Sequence, residues 1–116
     1  VRIIRDYPNS LLFNAFDFAI MAGGYNSYHE AIAFALPTLF IPNLDTGMDD
    51  QLARVQAGAN IGACIVLNEQ AESTFKETLN TFMVPTHREK MMQSCRSLET
   101  QNGAVEAAKY LLNNVR

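Results

Sequence analysis

A glycine-rich turn followed by small polar residues is the segment of this sequence most suited to chemistry. Gly23 and Gly24 follow a compact apolar run, residues 18–21, and precede Asn26 and Ser27. Glycines leave backbone N–H groups accessible, because no Cβ shields them. The helix predicted to begin near Ser27 adds unpaired N–H groups and the positive end of its dipole. The turn is therefore suited to binding an anion such as a phosphate group.

Glu30, one helical turn after Ser27, has two interpretations. Its carboxylate could accept hydrogen bonds from the vicinal hydroxyls of a ribose, and phosphate beside ribose is the layout of a nucleoside diphosphate. The spacing Ser27-x-x-Glu30 is also that of a capping box, in which both side chains satisfy helix-end donors and bind no ligand. Taken alone, these residues favour the capping box. The segment is neither a P-loop nor a Gly-x-Gly-x-x-Gly dinucleotide fingerprint.

A second polar loop, residues 43–50, follows the next apolar run. Asp50 and Gln51 begin a predicted helix and carry groups that bind sugar hydroxyls, and Gly47 gives the loop room to approach a ligand. Acidic residues at a helix start also complement its dipole without binding anything. Arg54, one turn after Gln51, could pair with Asp50 or reach the same crevice. We expect no metal at the aspartates of this loop, because their spacing lacks the alternation of a calcium loop.

The elements predicted around these loops alternate between strands and helices. Apolar runs predict strands over residues 1–4, 18–21, 38–41 and 63–67. Helices are predicted over residues 27–35, 50–57, 70–83, 86–99 and 103–114. This order indicates an α/β fold, a three-layer, Rossmann-like parallel sheet of about four strands with a helical C-terminal tail. Ligands bind at the carboxyl ends of parallel strands, so both polar loops should open into one crevice.

The composition limits the classes of function. The chain has 116 residues, 48% hydrophobic and 18% charged, which is typical of one globular domain spanning residues 1–116. A net charge of −3 without a basic stripe argues against nucleic-acid binding. No apolar stretch reaches the about 20 residues that a membrane-spanning helix needs. The two cysteines match no metal-ligand spacing, and we predict a cytoplasmic protein without a metal.

Three segments, in order, resemble one family. They are residues 17–30 (DFAIMAGGYNSYHE), residues 36–42 (LPTLFIP) and the pattern Asp49-Asp50-Gln51-x-x-Arg54. Together they resemble the C-terminal domain of GT-B fold glycosyltransferases. The nearest in pattern are the peptidoglycan lipid-intermediate N-acetylglucosaminyltransferases and the wider UDP-glycosyltransferases. The likeness is close over residues 1–67 and looser beyond. Three ordered motifs are more specific than one, so they favour ligand binding over the capping box.

This resemblance implies a role for each residue of the first turn. The residues that would hold the donor diphosphate are Gly23, Gly24, Asn26 and Ser27. Glu30 would bind the ribose hydroxyls. The ligand implied is a nucleotide sugar, a UDP-sugar in most relatives, which is a substrate and not a cofactor.

The resemblance also implies contacts to the two ends of the donor. Asp50 and Gln51 would bind the transferred sugar, and the segment Arg5-Asp6-Tyr7 falls where the family's backbone usually meets the base. Two positions depart from the family pattern. Many members carry a histidine where this chain has Ala22, and Tyr25 replaces the tryptophan of plant members. These departures leave the preference for base and sugar open.

The family transfers a hexosyl group from the nucleotide to an acceptor hydroxyl with inversion. The helix N-terminus stabilises the leaving diphosphate, so no metal is required. The base that deprotonates the acceptor normally belongs to an N-terminal acceptor domain. The opening residue Val1 and the small sheet suggest a fragment without that acceptor domain. The acceptor domain would lie in cis or on a partner subunit. Any peripheral membrane association would also occur through that missing domain. We therefore expect no transferase activity from these residues alone.

Other functions remain open from the sequence. A UDP-sugar 2-epimerase has the same two-domain fold. The chain could also be a non-catalytic binding module, or one subunit of a split glycosyltransferase. A flavodoxin-like domain that binds no nucleotide sugar has the same order of strands and helices.

Overall fold

A parallel sheet of three strands forms the centre of the computed structural model, which describes residues 1–5, 7–45, 47–68, 71–98 and 103–115. The strands are β1 (Ala19–Met21), β2 (Thr38–Phe40) and β3 (Ile65–Val66), in the order β1-β2-β3. Ile20 pairs with Leu39, and Phe40 pairs with Val66. The predicted α/β class with parallel strands is confirmed, but the described sheet has three strands and not four.

The described residues also form five α-helices and one short 3-10 helix. The helices are α1 (Tyr25–Ala33), α2 (Gln51–Asn60), α3 (Glu72–Met83), α4 (Pro85–Ser97) and α5 (Gly103–Asn114), and the 3-10 helix is Asn9–Ala15. In the chain, β1 leads into α1 and β2 leads into α2. The predicted alternation and the helical C-terminal part are therefore confirmed.

The strand predicted over residues 1–4 is wrong. Residues 1–5 have no regular structure, and they are exposed, with Ile3 at 76%. A run of β-branched residues forms a strand only when a neighbouring strand supplies hydrogen bonds and a packing surface. Within the described part of the chain, no strand pairs with this segment. Side-chain preference alone did not create the fourth strand.

The core lies on both sides of β2, because successive residues of a strand point to opposite faces. Phe40 packs in one cluster with side chains of α1, α2 and α4. Leu39 packs in the other with Phe82 of α3 and Met91 of α4. Helices therefore cover both faces of the sheet. In contrast, every described side chain of α5 is exposed, and α5 adds nothing to either cluster.

The helix α1 begins and ends two residues earlier than predicted. Ala35 takes a left-handed backbone conformation, with φ of 51°, and the N–H of Leu36 donates to the carbonyl of Ala31 at 2.9 Å. This is the usual way in which a helix closes its last turn. Pro37 then enters β2 directly, so the connection from α1 to the sheet is short and buried.

Replacing Phe82 by alanine tests the importance of the α3 contact. Phe82 is 0% exposed, and its ring stacks on that of Phe18 at 5.2 Å. We expect Phe82→Ala to lower the free energy of unfolding by about 3–5 kcal/mol, measured by urea denaturation. The control is Leu112→Ala on α5, where the side chain is 78% exposed. The control should change stability by no more than about 0.5 kcal/mol. Equal losses would contradict the described core.

Candidate functional site

The two polar loops lie next to each other at the carboxyl ends of β1 and β2. The N–H of Ile41 donates to the carbonyl of Met21 at 2.9 Å, so the two strand ends are adjacent. Arg54 of α2 then joins the loops directly, because its Nη1 donates to the carbonyl of Gly23 at 2.8 Å. The two loops are therefore adjacent at this edge of the sheet, as expected, although among the described residues each loop lines a cavity of its own.

The two glycines of the first turn differ in their surroundings. A Cβ on Gly23 would lie 2.7 Å from Cγ1 of Val55 and 3.4 Å from Gln51, so the turn needs glycine there to approach α2 closely. A Cβ on Gly24 would meet no atom within 4 Å. Neither glycine has a positive φ, so a sharp turn is not what requires them. Gly24 faces open space at the entrance of α1.

The predicted capping box between Ser27 and Glu30 does not form. The N-cap of α1 is Gly24, with φ of −58° and ψ of 153°, and no side-chain hydrogen bond caps this end among the described residues. Ser27 is the third residue of the helix and not its cap, because the helix begins at Tyr25. The first intrahelical bond runs from the N–H of Tyr28 to the carbonyl of Gly24. The N–H groups of the first turn therefore point out of the helix end.

A cavity of about 460 Å³ lies beside this helix end. On one side it is lined by polar residues of α1, namely Asn26, Ser27 and Glu30. On the other side it is lined by Tyr7, Pro8, Asn9, Phe13 and Met21. The cavity joins the candidate diphosphate and ribose residues to the segment that precedes the 3-10 helix.

The residues expected near the base are only partly placed by the structure. Arg5 is exposed and is not among the residues that line this cavity. Asp6 lies outside the described residues. Tyr7, the third residue of the predicted segment, does line the cavity and is 89% exposed. Pro8 and Asn9 also line this cavity, and no local signal in the sequence indicated that they would.

The second loop holds Asp50 and Gln51 in different roles. Asp50 is the N-cap of α2, and its Oδ1 accepts from the N–H of Ala53 at 2.9 Å. Gln51 is 9% exposed, and its Oε1 accepts from the N–H of Asn43 at 3.0 Å. A cavity of about 240 Å³ lies here, lined by Asn43, Leu44, Gly47, Asp49, Asp50, Gln51 and Leu52. Asp50 is exposed to it, while Gln51 mainly fixes the loop.

Arg54 pairs with Asp49 and not with Asp50, its partner in one of the two sequence hypotheses. Its Nη2 donates to Oδ1 of Asp49, and its guanidinium carbon lies 5.4 Å from the centroid of the Tyr25 ring. The hydrogen bond from Arg54 lowers the pKa of Asp49, and the same bond raises the pKa of Arg54. Both groups are therefore charged at neutral pH. This pair lies five residues apart, which is not a usual helix spacing, so no sequence pattern indicated the contact.

Other reactive side chains do not line either of these cavities. Cys64 and Cys95 are buried, and burial raises the pKa of the Cys64 thiol to about 12, so it stays neutral. His29 is exposed and packs its ring 4.4 Å from that of Tyr25. In the described ranges, no three His, Cys, Asp or Glu side chains group as metal ligands. No helix described here has both the length and the apolar character to cross a bilayer.

Comparison with known proteins leaves the family open. No protein-family model matches the chain, and no curated protein matches it either. The resemblance to GT-B glycosyltransferases therefore remains a prediction from the residues. Support for a function comes from the geometry of the two loops and their cavities.

Alanine substitution at each glycine tests their different surroundings. Gly23→Ala should lower the free energy of unfolding by about 1–3 kcal/mol, because its Cβ overlaps Val55. Gly24→Ala should change it by less than about 0.5 kcal/mol, since a weaker N-cap offsets a less flexible unfolded chain. Urea denaturation of both variants measures this difference. A large loss for Gly24→Ala would contradict the open space described at this position.

Proposed function

We propose that this chain binds the nucleotide-sugar donor of a glycosyltransferase that transfers a hexosyl group to an acceptor hydroxyl. The chain then serves as a Rossmann-like donor-binding unit. One observation carries the proposal. The N-terminus of α1 has no side-chain cap and opens beside Gly24, where no atom of the described residues lies within 4 Å of an added Cβ, and next to a cavity lined by Asn26, Ser27 and Glu30.

The diphosphate is assigned to the helix end because that is where donors are available. The first-turn N–H groups of α1 and the positive end of its dipole favour an anion. The side chains of Asn26 and Ser27 add short polar groups that line the same cavity. The missing Cβ at Gly24 lets a phosphate approach the backbone closely.

The ribose is assigned to Glu30. A carboxylate repels phosphate but accepts hydrogen bonds from two vicinal hydroxyls. Glu30 follows Ser27 by one helical turn, on the same cavity wall, so it lies farther from the helix end than the diphosphate residues. The base would then lie towards Tyr7 and Pro8 on the opposite wall.

The transferred sugar is assigned to the smaller cavity beside Asp50. Oδ1 of Asp50 caps α2, and its second carboxylate oxygen is available to a sugar hydroxyl. The Gln51 side chain bonds both the Asn43 N–H and Asp49, so we propose that it holds the loop and offers at most one remaining amide N–H to the sugar.

Charge developing on the leaving diphosphate would be stabilised by the α1 helix end, without a cofactor. Among the described residues that line the larger cavity, Glu30 and Tyr7 are titratable, and we assign Glu30 to the ribose and Tyr7 to the side of the base. We therefore propose that the base for the acceptor hydroxyl comes from an acceptor domain in cis or from a partner subunit.

Titration with UDP, followed by NMR, tests the proposal. We expect the amide resonances of Tyr25, Asn26 and Ser27 to shift with saturation. A Cβ at residue 24 occupies the proposed phosphate position, so Gly24→Ala should weaken UDP binding at least about tenfold. The matched control is Ser73→Ala, a serine in the first turn of α3, and it should bind UDP like the wild type. A wild-type spectrum that UDP does not perturb in this turn would refute donor binding.

The two roles of Asp50 are separated by Asp50→Asn. Asparagine keeps the N-cap acceptor, so stability should change by no more than about 0.5 kcal/mol. UDP affinity should stay the same, whereas the affinity for UDP-N-acetylglucosamine or UDP-glucose should fall about fivefold, because a charged acceptor for the sugar is lost. Asp45→Asn, an exposed aspartate in the same loop, is the control. Equal affinities of wild type and Asp50→Asn for both UDP-sugars would remove Asp50 from the sugar site.

A further inference from the structure

We propose that Arg54 is a positioning residue for the donor site, and this inference rests on the proposed function. Its contacts to Gly23 and Asp49 are together called the Arg54 bridge. The bridge holds the glycine turn at a fixed distance from the second loop, and it sets the direction of one anion-binding N–H group.

Two nitrogens of a single planar group make the bridge. Nη1 donates to the carbonyl of Gly23 at 2.8 Å, and Nη2 donates to Oδ1 of Asp49. Gly23 and Arg54 are 31 residues apart in the sequence. Because the guanidinium is rigid, it fixes the separation of the two loops and not only their contact.

The carbonyl of Gly23 and the N–H of Gly24 belong to one peptide plane. In a trans peptide these two groups point in opposite directions. Arg54 draws the carbonyl towards α2, so the N–H of Gly24 is directed away from α2. Without the bridge, this peptide could rotate and present its carbonyl to the crevice. A carbonyl there would repel a phosphate.

The surroundings of Arg54 keep its guanidinium in place. The Tyr25 ring lies 5.4 Å below it, within the range of a cation–π contact, and Tyr25 is also the first residue of α1. Asp49 immediately precedes Asp50, the proposed sugar contact. The bridge therefore links the start of the diphosphate site to the start of the sugar site.

A simpler role for Arg54 would be the attraction of phosphate by its charge. The two roles predict opposite effects at Asp49. Removing the Asp49 carboxylate leaves Arg54 without its neutralising partner, so charge attraction alone predicts tighter UDP binding. The bridge predicts weaker binding, because Arg54 loses one of its two anchors.

The experiment compares Arg54→Lys and Asp49→Ala with the wild-type chain. Lysine keeps the charge but lacks the fork that reaches two acceptors. We expect both variants to bind UDP about tenfold more weakly, measured by calorimetry or NMR titration. For uridine, which has no phosphate, the affinity of both variants should lie within about twofold of the wild-type affinity. The Gly24 amide resonance should already differ in the ligand-free variants, which a loss of charge attraction alone would not produce.

The matched control is Arg88→Met. Arg88 also donates to a backbone carbonyl, that of Phe82, but it belongs to α4 and does not line the donor cavity. Its removal should leave UDP affinity unchanged. If thermal unfolding shows that Asp49→Ala does not fold, Arg54→Lys alone decides the matter.

Four outcomes would count against these proposals. Wild-type affinity for UDP in Arg54→Lys, or tighter binding by Asp49→Ala, would overturn the Arg54 bridge while leaving donor binding intact. If the variants lose affinity for uridine and for UDP equally, Arg54 is needed only for the fold and does not position the phosphate site. Failure of the wild-type chain to bind UDP would refute the proposed function, and the inference with it.

Discussion

The close approach of Gly23 to Val55 is the contact on which the whole crevice depends. Val55 is fully buried and belongs to the larger core cluster, together with Tyr28 of α1 and Phe40 of β2. The glycine turn therefore rests on the core itself and not on a flexible loop. Any side chain at residue 23 would push the turn away from α2 and break the alignment with Arg54. The geometry of both loops follows from this one missing Cβ.

Carboxylates near the proposed site would repel the diphosphate of a nucleotide sugar unless their charges are paired or lie away from it. Two carboxylates of the second loop, those of Asp49 and Asp50, have partners before any ligand arrives. Asp49 is paired with Arg54, and Asp50 accepts from a helix N–H. Glu30 lines the larger cavity and not the cavity of the second loop, and it lies one helical turn from Ser27. The negative groups are thus either neutralised or placed where hydroxyls, and not phosphates, would be expected. This arrangement makes a nucleotide sugar a consistent ligand for the proposed site.

Much of the fold could be predicted from the sequence, and the failures have clear causes. The runs at residues 18–21 and 38–41 are strongly apolar, and both form paired strands, although β2 is fully buried while Ile20 of β1 is half-exposed. The run at residues 1–4 has the same character, but the described chain offers it no partner strand. The Ser27-x-x-Glu30 spacing predicted a capping box, yet the helix begins at Tyr25. A shift of two residues at a helix start is enough to turn a cap into an interior residue.

The α/β class, the order of the elements and the two polar loops at strand ends could all be predicted, because they follow from local periodicity and chain order. Only the packed structure shows which glycine is needed for packing and which one faces open space. It also shows that Arg54 pairs with Asp49 and not with Asp50, and that the side chain of Gln51 bonds to the backbone of its own loop. These features depend on distances between residues that are far apart in the chain or on opposite sides of a loop. Such distances are fixed only when the helices pack on the sheet.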